Sequence, residues 1–425
     1  MAFRERWQEI RTGFTPAFWV ANTSELFERL AYYGPQAVLA IYLTEHLRFS
    51  PEDAGQLIGF YGFAVWFLPI IGGALADRFG FRRTLAAAYL ILGFGYFLLG
   101  SLSAPWMAGL REAVPLYWLV LAVMMVPALG PAVVKPVVAG TTARGSADQL
   151  RTLGYSIYYT IVNVGGTLGP LMAFRVRTTL GVEAVFRVSA LFSLAMFVFI
   201  LLTYREPPRP EGEQVRSIGA SFKNLVVVLG NGRFVAFLVI FSGFYVMLWQ
   251  QYVSVPLYVR GYVSRDANVD LLLTASPATV IATTFLVNYL TRRVRPFAGM
   301  TAGMLIAGLA WLLLAFGGSQ LAVVLTLIAF ALGEVTLSPR FYDYCSRLAP
   351  KGQEGLFMGY AFLPVAIGYF IAGPLGGWLV QYFGEELRRP QQMWFVVVGI
   401  GLLTTGLMVL YDRVVKPGSS PKTTA

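Results

Sequence analysis

Residues 73–83 read Gly73-Ala-Leu-Ala-Asp77-Arg78-Phe-Gly-Phe-Arg82-Arg83, a short charged loop between two long apolar runs. An acid and several arginines in so short a loop can pin neighbouring helix ends together through charged hydrogen bonds. The apolar runs on either side have about 20 residues, which is enough to cross a bilayer of about 30 Å as a helix. The loop therefore predicts a membrane protein with two spanning helices joined by a tight turn.

The composition of the whole chain supports this prediction. The 425 residues are 56% hydrophobic and 13% charged, with a mean hydropathy of +0.62, whereas a soluble domain is about 45–50% apolar and about 25% charged. One cysteine, Cys345, and one histidine, His46, exclude a disulfide framework and zinc sites built on several cysteines or histidines. No GxxxxGK[ST] sequence occurs, so ATP-driven pumping by this chain is not expected. We expect no enzyme activity, no metal and no cofactor.

Apolar runs of spanning length recur along the chain. We place twelve spans near 17–44, 51–76, 84–103, 114–140, 152–174, 184–203, 234–259, 269–290, 297–316, 319–346, 354–382 and 392–411. The longest polar connection is rich in Pro, Arg and Glu and separates two sets of six spans. The predicted architecture is all-α and integral to the membrane, with an N-terminal bundle at 1–204, a linker at 205–231 and a C-terminal bundle at 232–425.

The formal net charge of +11 is a topology signal. Most lysines and arginines fall in the N-terminus, the even-numbered connections and the C-terminus, which the positive-inside rule places in the cytoplasm. We therefore expect a bacterial-type inner-membrane protein, surrounded by lipid, with both termini cytoplasmic and no nucleic-acid partner. Nothing in the sequence suggests a form other than the monomer.

The first span carries charges that lipid cannot solvate. Positions Glu25, Glu28, Arg29, Tyr32 and Gln36 recur at helical spacing and form one polar stripe. Charged residues inside a membrane need partners or water and usually have a function. Since Glu25 and Arg29 are four residues apart, they can pair directly. The second carboxylate must find another cation or take up a proton.

Other polar residues inside spans extend this set. Lys135 lies between two prolines in span 4 and offers a second cation, while Glu334 is the acid deep in the second half. Arg340 and Asp343 lie nearer the cytoplasmic end of the same span and suit a closing contact there. Asn163 in span 5 is either part of the pocket or an amide that serves a neighbouring helix. Aromatic side chains that could line a pocket are Tyr32, Tyr33, Tyr61, Trp66, Tyr159 and Trp249.

The charged residues inside the spans differ in sign between the two halves. Arg29 and Lys135 place positive charge in the first half, and Glu334 places negative charge in the second. A ligand with an anionic end and a cationic end would suit both, and amino acids and short peptides fit that description.

The motifs resemble two nested groups of proteins. Residues 73–83 match the GxxxDRxGxRR loop of the major facilitator superfamily, whose members are built of repeats around a midplane site. The run ELFERLAYYG from Glu25 to Gly34 resembles the ExxERFxYYG signature of the proton-coupled oligopeptide transporter family. The segments around Lys135-Pro136, Asn163-Val-Gly165 and Gly333-Glu334 resemble that family's spans 4, 5 and 10.

The resemblance implies proton-driven uptake of di- and tripeptides. By this resemblance, Lys135 and Arg29 would hold the peptide carboxylate, and Glu334 in span 10 would hold the amino end. The carboxylates Glu25 and Glu28 would take part in coupling, together with Arg29 and Glu334. The charged loop with Asp77, Arg78, Arg82 and Arg83 would act in gating.

Three departures from the family pattern concern the gate and the pocket. Gln36 stands where the family has an arginine, and Gln250 stands where it has a span-7 glutamate that can pair with that arginine. Trp66 takes the place of a span-2 tyrosine. The alternatives are therefore an exporter of drug-like or lipophilic compounds, a facilitative carrier without proton coupling, and a receptor or scaffold that does not transport.

Overall fold

A computed structural model describes residues 13–208, 218–349 and 354–415. Within these ranges the chain is helical, and its β-structure is confined to one isolated bridge between Phe14 and Ser146. Residues 1–12, part of the predicted linker (209–217), residues 350–353 and the C-terminal tail lie outside the described ranges.

The first half of the chain is a series of long helices joined by short turns. Its α-helices are Pro16–Ile41, Pro51–Phe67, Pro69–Phe79, Phe81–Leu99, Ala108–Ala113, Leu116–Arg144, Arg151–Leu180 and Val182–Thr203. Short 3₁₀ or π segments are Tyr42–His46, Pro105–Met107 and Asp148–Leu150.

The second half is more often interrupted. Its α-helices are Ile218–Leu229, Gly232–Trp249, Ser254–Tyr258, Val269–Leu273, Ala275–Leu290, Pro296–Ala310, Leu312–Phe316, Gln320–Leu348, Glu354–Gly359, Leu363–Val380 and Met393–Val415. Its short 3₁₀ or π segments are Val259–Val263, Tyr360–Phe362, Gln381–Glu386 and Pro390–Gln392.

The described helices account for the twelve predicted spans. Eight are long and apolar enough to cross a membrane, and a ninth is the pair Pro51–Phe67 and Pro69–Phe79, bent by 44°. Spans 1, 3 and 5 are formed by three helices that are less apolar, namely Pro16–Ile41, Phe81–Leu99 and Arg151–Leu180. These helices have 26, 19 and 30 residues. The predicted all-α membrane fold is thereby confirmed.

Several spans are interrupted where the sequence analysis predicts continuous helices, and the breaks in spans 2 and 7 lie near candidate site residues. Span 2 bends around Leu68 because Pro69 has no backbone N–H to continue the first helix and suits the first position of a new one. Span 7 ends its first helix at Trp249 and resumes at Ser254. The twelve-residue helix Ile218–Leu229 also lies in the predicted linker, and at about 1.5 Å per residue it is too short to cross a bilayer.

The chain divides into two compact units. Unit 1 comprises Met1–Arg48, Phe60–Phe222 and Asn268–Pro277, and unit 2 comprises Phe49–Gly59, Lys223–Ala267 and Ala278–Ala425. By chain order the start of span 2 belongs to the first half but packs in unit 2, and the start of span 8 belongs to the second half but packs in unit 1.

The same helix contacts recur in both units. In unit 1, span 1 packs on spans 5 and 6, and span 3 packs on spans 4 and 6. In unit 2, span 7 packs on spans 11 and 12, and span 9 packs on spans 10 and 12. Spans 1, 3, 4, 5 and 6 thus each have a counterpart six spans later, as expected for a transporter fold built from repeats.

Candidate functional site

Glycines bring span 5 against the polar stripe of span 1. A Cβ added at Gly165 would lie 2.3 Å from the Cβ of Arg29, and one at Gly169 would lie 2.9 Å from the Cβ of Tyr33. A Cβ at Gly34 would lie 2.7 Å from the Met172 Cε. Small residues allow helix backbones to approach this closely. The sequence signatures of spans 1 and 5 therefore meet in a single helix contact.

The predicted polar stripe forms a buried charge cluster in unit 1. The pairing of Glu25 with Arg29 is confirmed, with Glu25 Oε1 3.1 Å from Arg29 Nε, and the carboxylate of Glu28 pairs with Arg29 Nη2. All three side chains are buried. Tyr158 donates from its hydroxyl to Glu25 Oε1 at 3.5 Å. Two carboxylates therefore share one guanidinium.

Lys135, which the sequence offers as a second cation for that cluster, makes no hydrogen bond to either carboxylate. Its buried Nζ has no hydrogen-bond partner within the described ranges. It lies instead 3.2 Å from the centroid of the Trp66 ring. Helix Leu116–Arg144 contains Pro131 and Pro136 on either side of the lysine, and each removes a backbone donor from the helix ladder.

Glycine also brings span 2 close to this lysine. A Cβ at Gly72 would lie 1.7 Å from the carbonyl oxygen of Ala132, so only glycine allows the second helix of span 2 to lie against span 4 there. This contact lies within one turn of Lys135.

The aromatic candidates differ in their surroundings. Tyr32 is buried, with its ring edge-on to Tyr33 at 5.1 Å and the Arg29 guanidinium 5.5 Å from its centroid. Tyr61 is buried too, and Trp66 is half-buried. Tyr159 is exposed.

Two further candidates contact their own helix or a neighbouring span. Asn163 donates from its side-chain amide to the carbonyl oxygen of Tyr159 at 2.9 Å on its own helix, rather than to a neighbouring helix. Trp249 in unit 2 is buried and stacks on Tyr369 with ring centroids 4.0 Å apart.

Glu334 is the deep acid of unit 2. A close approach of spans 9 and 10 positions it, because a Cβ at the adjacent Gly333 would lie 2.6 Å from the carbonyl oxygen of Gly303. The side chain is half-buried. Its carboxylate forms no ion pair with Lys or Arg among the described residues of unit 2.

The two glutamines at the family's gate positions have different settings. Gln36 is buried in unit 1 and lines a small cavity of about 10 Å³ with Tyr61 and Tyr96, room for about one water. Gln250 is buried in unit 2, where it donates to the carbonyl oxygen of Ala372 at 3.2 Å and accepts from the hydroxyl of Ser254. Gln250 thus ties the break in span 7 to span 11.

The charged loop between spans 2 and 3 pins helix ends as predicted, but it does so through a residue that the sequence did not single out. Glu206, just after span 6, accepts from the backbone N–H of Phe81 at 2.9 Å and caps the start of span 3. Arg82 donates to the carbonyl oxygen of Leu201 at 2.5 Å. Asp77 is half-buried, and Arg78 and Arg83 are exposed.

The corresponding corner of unit 2 is held by side chains. Arg340 donates to Thr291 Oγ1 at 2.7 Å and to its carbonyl oxygen at 2.9 Å, so it ties span 10 to the end of span 8. Asp343 pairs with Arg347 at 2.8 Å on its own helix. Arg295 pairs with Asp412.

A second pair that the sequence analysis missed joins spans 5 and 8 within unit 1. Arg177 donates from Nε to Asp270 Oδ2 at 2.8 Å and from Nη2 to Asp270 Oδ1 at 3.1 Å. Arg177 Nη2 also donates to Asn268 Oδ1 at 2.9 Å. Asp270 is buried. This forked contact fastens the start of span 8 to unit 1. In the sequence, Asp270 is visible only as an acid at the start of an apolar run, which does not identify Arg177 as its partner.

Comparison with known families gives two overlapping matches to the Major Facilitator Superfamily, over residues 23–363 and 263–425. The chain is 23% identical over 384 residues to the "Multidrug resistance protein MdtH" of Salmonella arizonae, covering 88% of both chains. The protein of the same name from Salmonella typhimurium is also 23% identical, over 88% of this chain and 89% of its own.

Solved structures that share the fold include transporters of the POT family. The "POT family transporter PepTSo" superposes with a TM-score of 0.75 at 18% identity, over 95% of this chain and 99% of that one. A "POT family transporter in complex with 5-aminolevulinic acid" superposes with a TM-score of 0.75 at 17% identity, over 95% and 96%. The fold of this chain is therefore that of the solved peptide transporters.

Proposed function

Because this chain belongs to the major facilitator superfamily, we propose that it is a secondary transporter that moves short peptides or related zwitterions by alternating access. The observation that carries the proposal is the Lys135 ammonium. It is buried without a hydrogen-bond acceptor among the described residues, and a buried charge in a membrane usually has a functional partner. A substrate carboxylate is a partner of the right charge.

The second charge of the substrate is assigned to Glu334 in unit 2. Di- and tripeptides carry a carboxylate and an ammonium, so one fixed cation and one fixed anion suit their two ends. Arg29 has a smaller share in binding, since both nearby carboxylates already pair with it. Tyr32, Tyr33, Trp66, Tyr159, Asn163 and Trp249 are assigned to the walls of the binding region.

We predict that Lys135→Ala and Glu334→Ala each abolish counterflow of labelled dialanine in liposomes. Loss of a charged hydrogen bond should weaken binding by about 1.5–3 kcal/mol, or roughly ten- to a hundredfold. Exposed residues of the same charge, Arg293 and Glu386, provide matched alanine controls that should transport normally. Near-normal counterflow by both site variants would refute the zwitterion assignment.

Proton coupling is assigned to the cluster in span 1. Two carboxylates around one guanidinium carry one excess negative charge, which a proton can neutralise. Gln250 stands where the family has a titratable acid in span 7, and a glutamine cannot bind and release the coupled proton. The gate is assigned to the charged loop together with Gln36, Gln250, Arg340 and Asp343.

We predict concentrative dialanine uptake under an inward proton gradient without a peptide gradient. Glu25→Gln or Glu28→Gln should abolish this accumulation and leave counterflow intact, because exchange moves no net proton. Peptide that only equilibrates in the parent protein, with or without the gradient, would indicate a facilitative carrier.

Export of drug-like compounds is the second candidate. The relatives named for multidrug resistance match along 88% of the chain, and the two neutral glutamines Gln36 and Gln250 depart from the peptide-transporter pattern. Lys135 in unit 1 disfavours cationic drugs, whereas the charge of Arg29 is already balanced by Glu25 and Glu28. Counterflow with a lipophilic cation but not with dialanine would favour the exporter, and counterflow with neither would favour a receptor.

The protein is an integral membrane protein, and we assign it to a bacterial-type inner membrane as a monomer with both termini cytoplasmic. The excess of Lys and Arg in the even-numbered connections supports this orientation. A cysteine at Glu211 in a Cys345→Ser background should react only with reagents that reach the cytoplasm.

A further inference from the structure

The ammonium of Lys135 rests on an indole ring where a carboxylate would be the usual partner. Its Nζ lies 3.2 Å from the Trp66 ring centroid, well inside the distance at which a ring face attracts a cation. Both residues belong to unit 1. Glu25 and Glu28 are engaged by Arg29 in the same unit, so neither acid forms an ion pair with the lysine.

A ring face does something that a fixed carboxylate cannot do. Burial without any partner would favour the neutral amine, and the indole quadrupole opposes this by stabilising the charge from one side. The ring accepts no conventional hydrogen bond, so the N–H donors of the ammonium stay available. A fixed carboxylate would also stabilise the charge, but it would occupy those donors and compete with an anionic ligand.

We propose that Trp66 is a positioning residue that keeps Lys135 charged and open, and thereby makes the site selective for ligands with a free carboxylate. The inference rests on the proposed function, which gives Lys135 its ligand. Trp66 itself need not touch the substrate. The charged groups that act on Lys135 are Glu25, Glu28 and Arg29, all on span 1. Trp66 lies on span 2 and therefore contacts the lysine from a different helix.

The test compares Trp66→Leu with Trp66→Phe, using purified full-length protein and two probes, dialanine and dialanine amide. Leucine fills space without a quadrupole, whereas phenylalanine keeps a weaker one. We expect Trp66→Leu to weaken dialanine binding about tenfold and Trp66→Phe about threefold. The amide lacks the carboxylate, so its weaker binding should be unchanged in both variants.

The pH dependence provides a readout that a packing role would not move. If the leucine variant has lost part of the charge on Lys135, lowering the pH should restore dialanine binding toward that of the parent. The parent protein, measured over the same pH range, is the control for the neighbouring charged groups Glu25, Glu28 and Arg29. Equal weakening of both probes, or equal damage by Phe and Leu at every pH, would overturn the inference.

A measurement on the empty protein separates this inference from the proposed function. Trp66→Leu should lower the thermal unfolding midpoint by more in the parent than in a Lys135→Met background, because only the parent has a cation on the ring. Trp311→Leu is the control, since that buried indole stacks on Trp394 and should give equal shifts in both backgrounds. Equal shifts for Trp66 would refute the contact even if dialanine binds. If the parent does not bind dialanine, the proposed function and the selectivity inference both fail.

Discussion

Units 1 and 2 repeat their helix contacts but not their buried charges. At the crossing of spans 1 and 5, a Cβ at Gly165 would lie 2.3 Å from the Cβ of Arg29. At the matching crossing of spans 7 and 11, a Cβ at Gly368 would lie 2.4 Å from the Cβ of Tyr245. The same close glycine contact therefore carries a charged cluster in one unit and an aromatic ring in the other.

This difference separates architecture from function. Glycine against a neighbouring helix is needed wherever two spans cross closely, so the repeat preserves it. A charge inside a membrane is costly and usually has a function, so a repeat has no reason to preserve it in both units. We therefore propose that the chemistry lies where the units differ, at the Glu25, Glu28, Arg29 cluster and Lys135 in unit 1 and at Glu334 in unit 2.

The strongest expected effect comes from breaking the charged crossing. Arg29→Leu leaves Glu25 and Glu28 buried without their cation, and removing one partner of a buried pair costs about 3–5 kcal/mol. Arg340→Leu in unit 2 removes a cation whose hydrogen bonds within the described ranges go to neutral oxygens at the end of span 8 and on its own helix, so it should cost about 1–2 kcal/mol. Unfolding free energies in mixed micelles would compare the two.

A larger loss for Arg340→Leu than for Arg29→Leu would contradict the view that unit 1 carries the more demanding charges. Arg29→Lys is an informative companion, because one ammonium cannot present the forked donors that two carboxylates use. It should recover only part of the stability.

The glycine crossings give the next effect. Gly165→Ala and Gly368→Ala should each cost about 1–3 kcal/mol through overpacking. Only Gly165→Ala should also reduce transport, because it displaces Arg29. Gly399→Ala is the matched control: its Cβ would meet nothing within 4 Å, and alanine favours a helix interior. Equal transport in both crossing variants would show that the position of Arg29 does not matter.

Much of the fold could be predicted because its signals are local. Twelve apolar runs, a charged loop and a polar linker are visible one segment at a time. The ion pair of Glu25 with Arg29 was also accessible, since both residues lie on one helix at a spacing of four. Prolines such as Pro69 marked places where a helix could break, but the chain alone did not show that span 2 bends there.

The contacts between distant segments were not accessible. Lys135 and Trp66 lie on different spans that are far apart in the sequence. Whether the lysine meets a ring or a carboxylate depends on how spans 1, 2 and 4 pack. Glu206 looked like one more charge in a polar connection, and Arg177 and Asp270 looked like ordinary charges near span ends. Their roles depend on tertiary contacts, which residue type and local spacing alone do not reveal.

The smallest expected difference concerns the two helix corners. Glu206 accepts from the backbone N–H of Phe81, so Glu206→Ala removes a helix cap and should cost about 0.5–2 kcal/mol. Asp412 instead pairs with Arg295, whose side chain is largely exposed, so Asp412→Ala should cost at most about 1 kcal/mol. Added salt should shrink the second effect more than the first, because screening acts on exposed pairs. Unfolding measured at low and high salt checks this, and a salt-sensitive Glu206 effect would show that its charge, rather than its hydrogen bond to span 3, holds the corner.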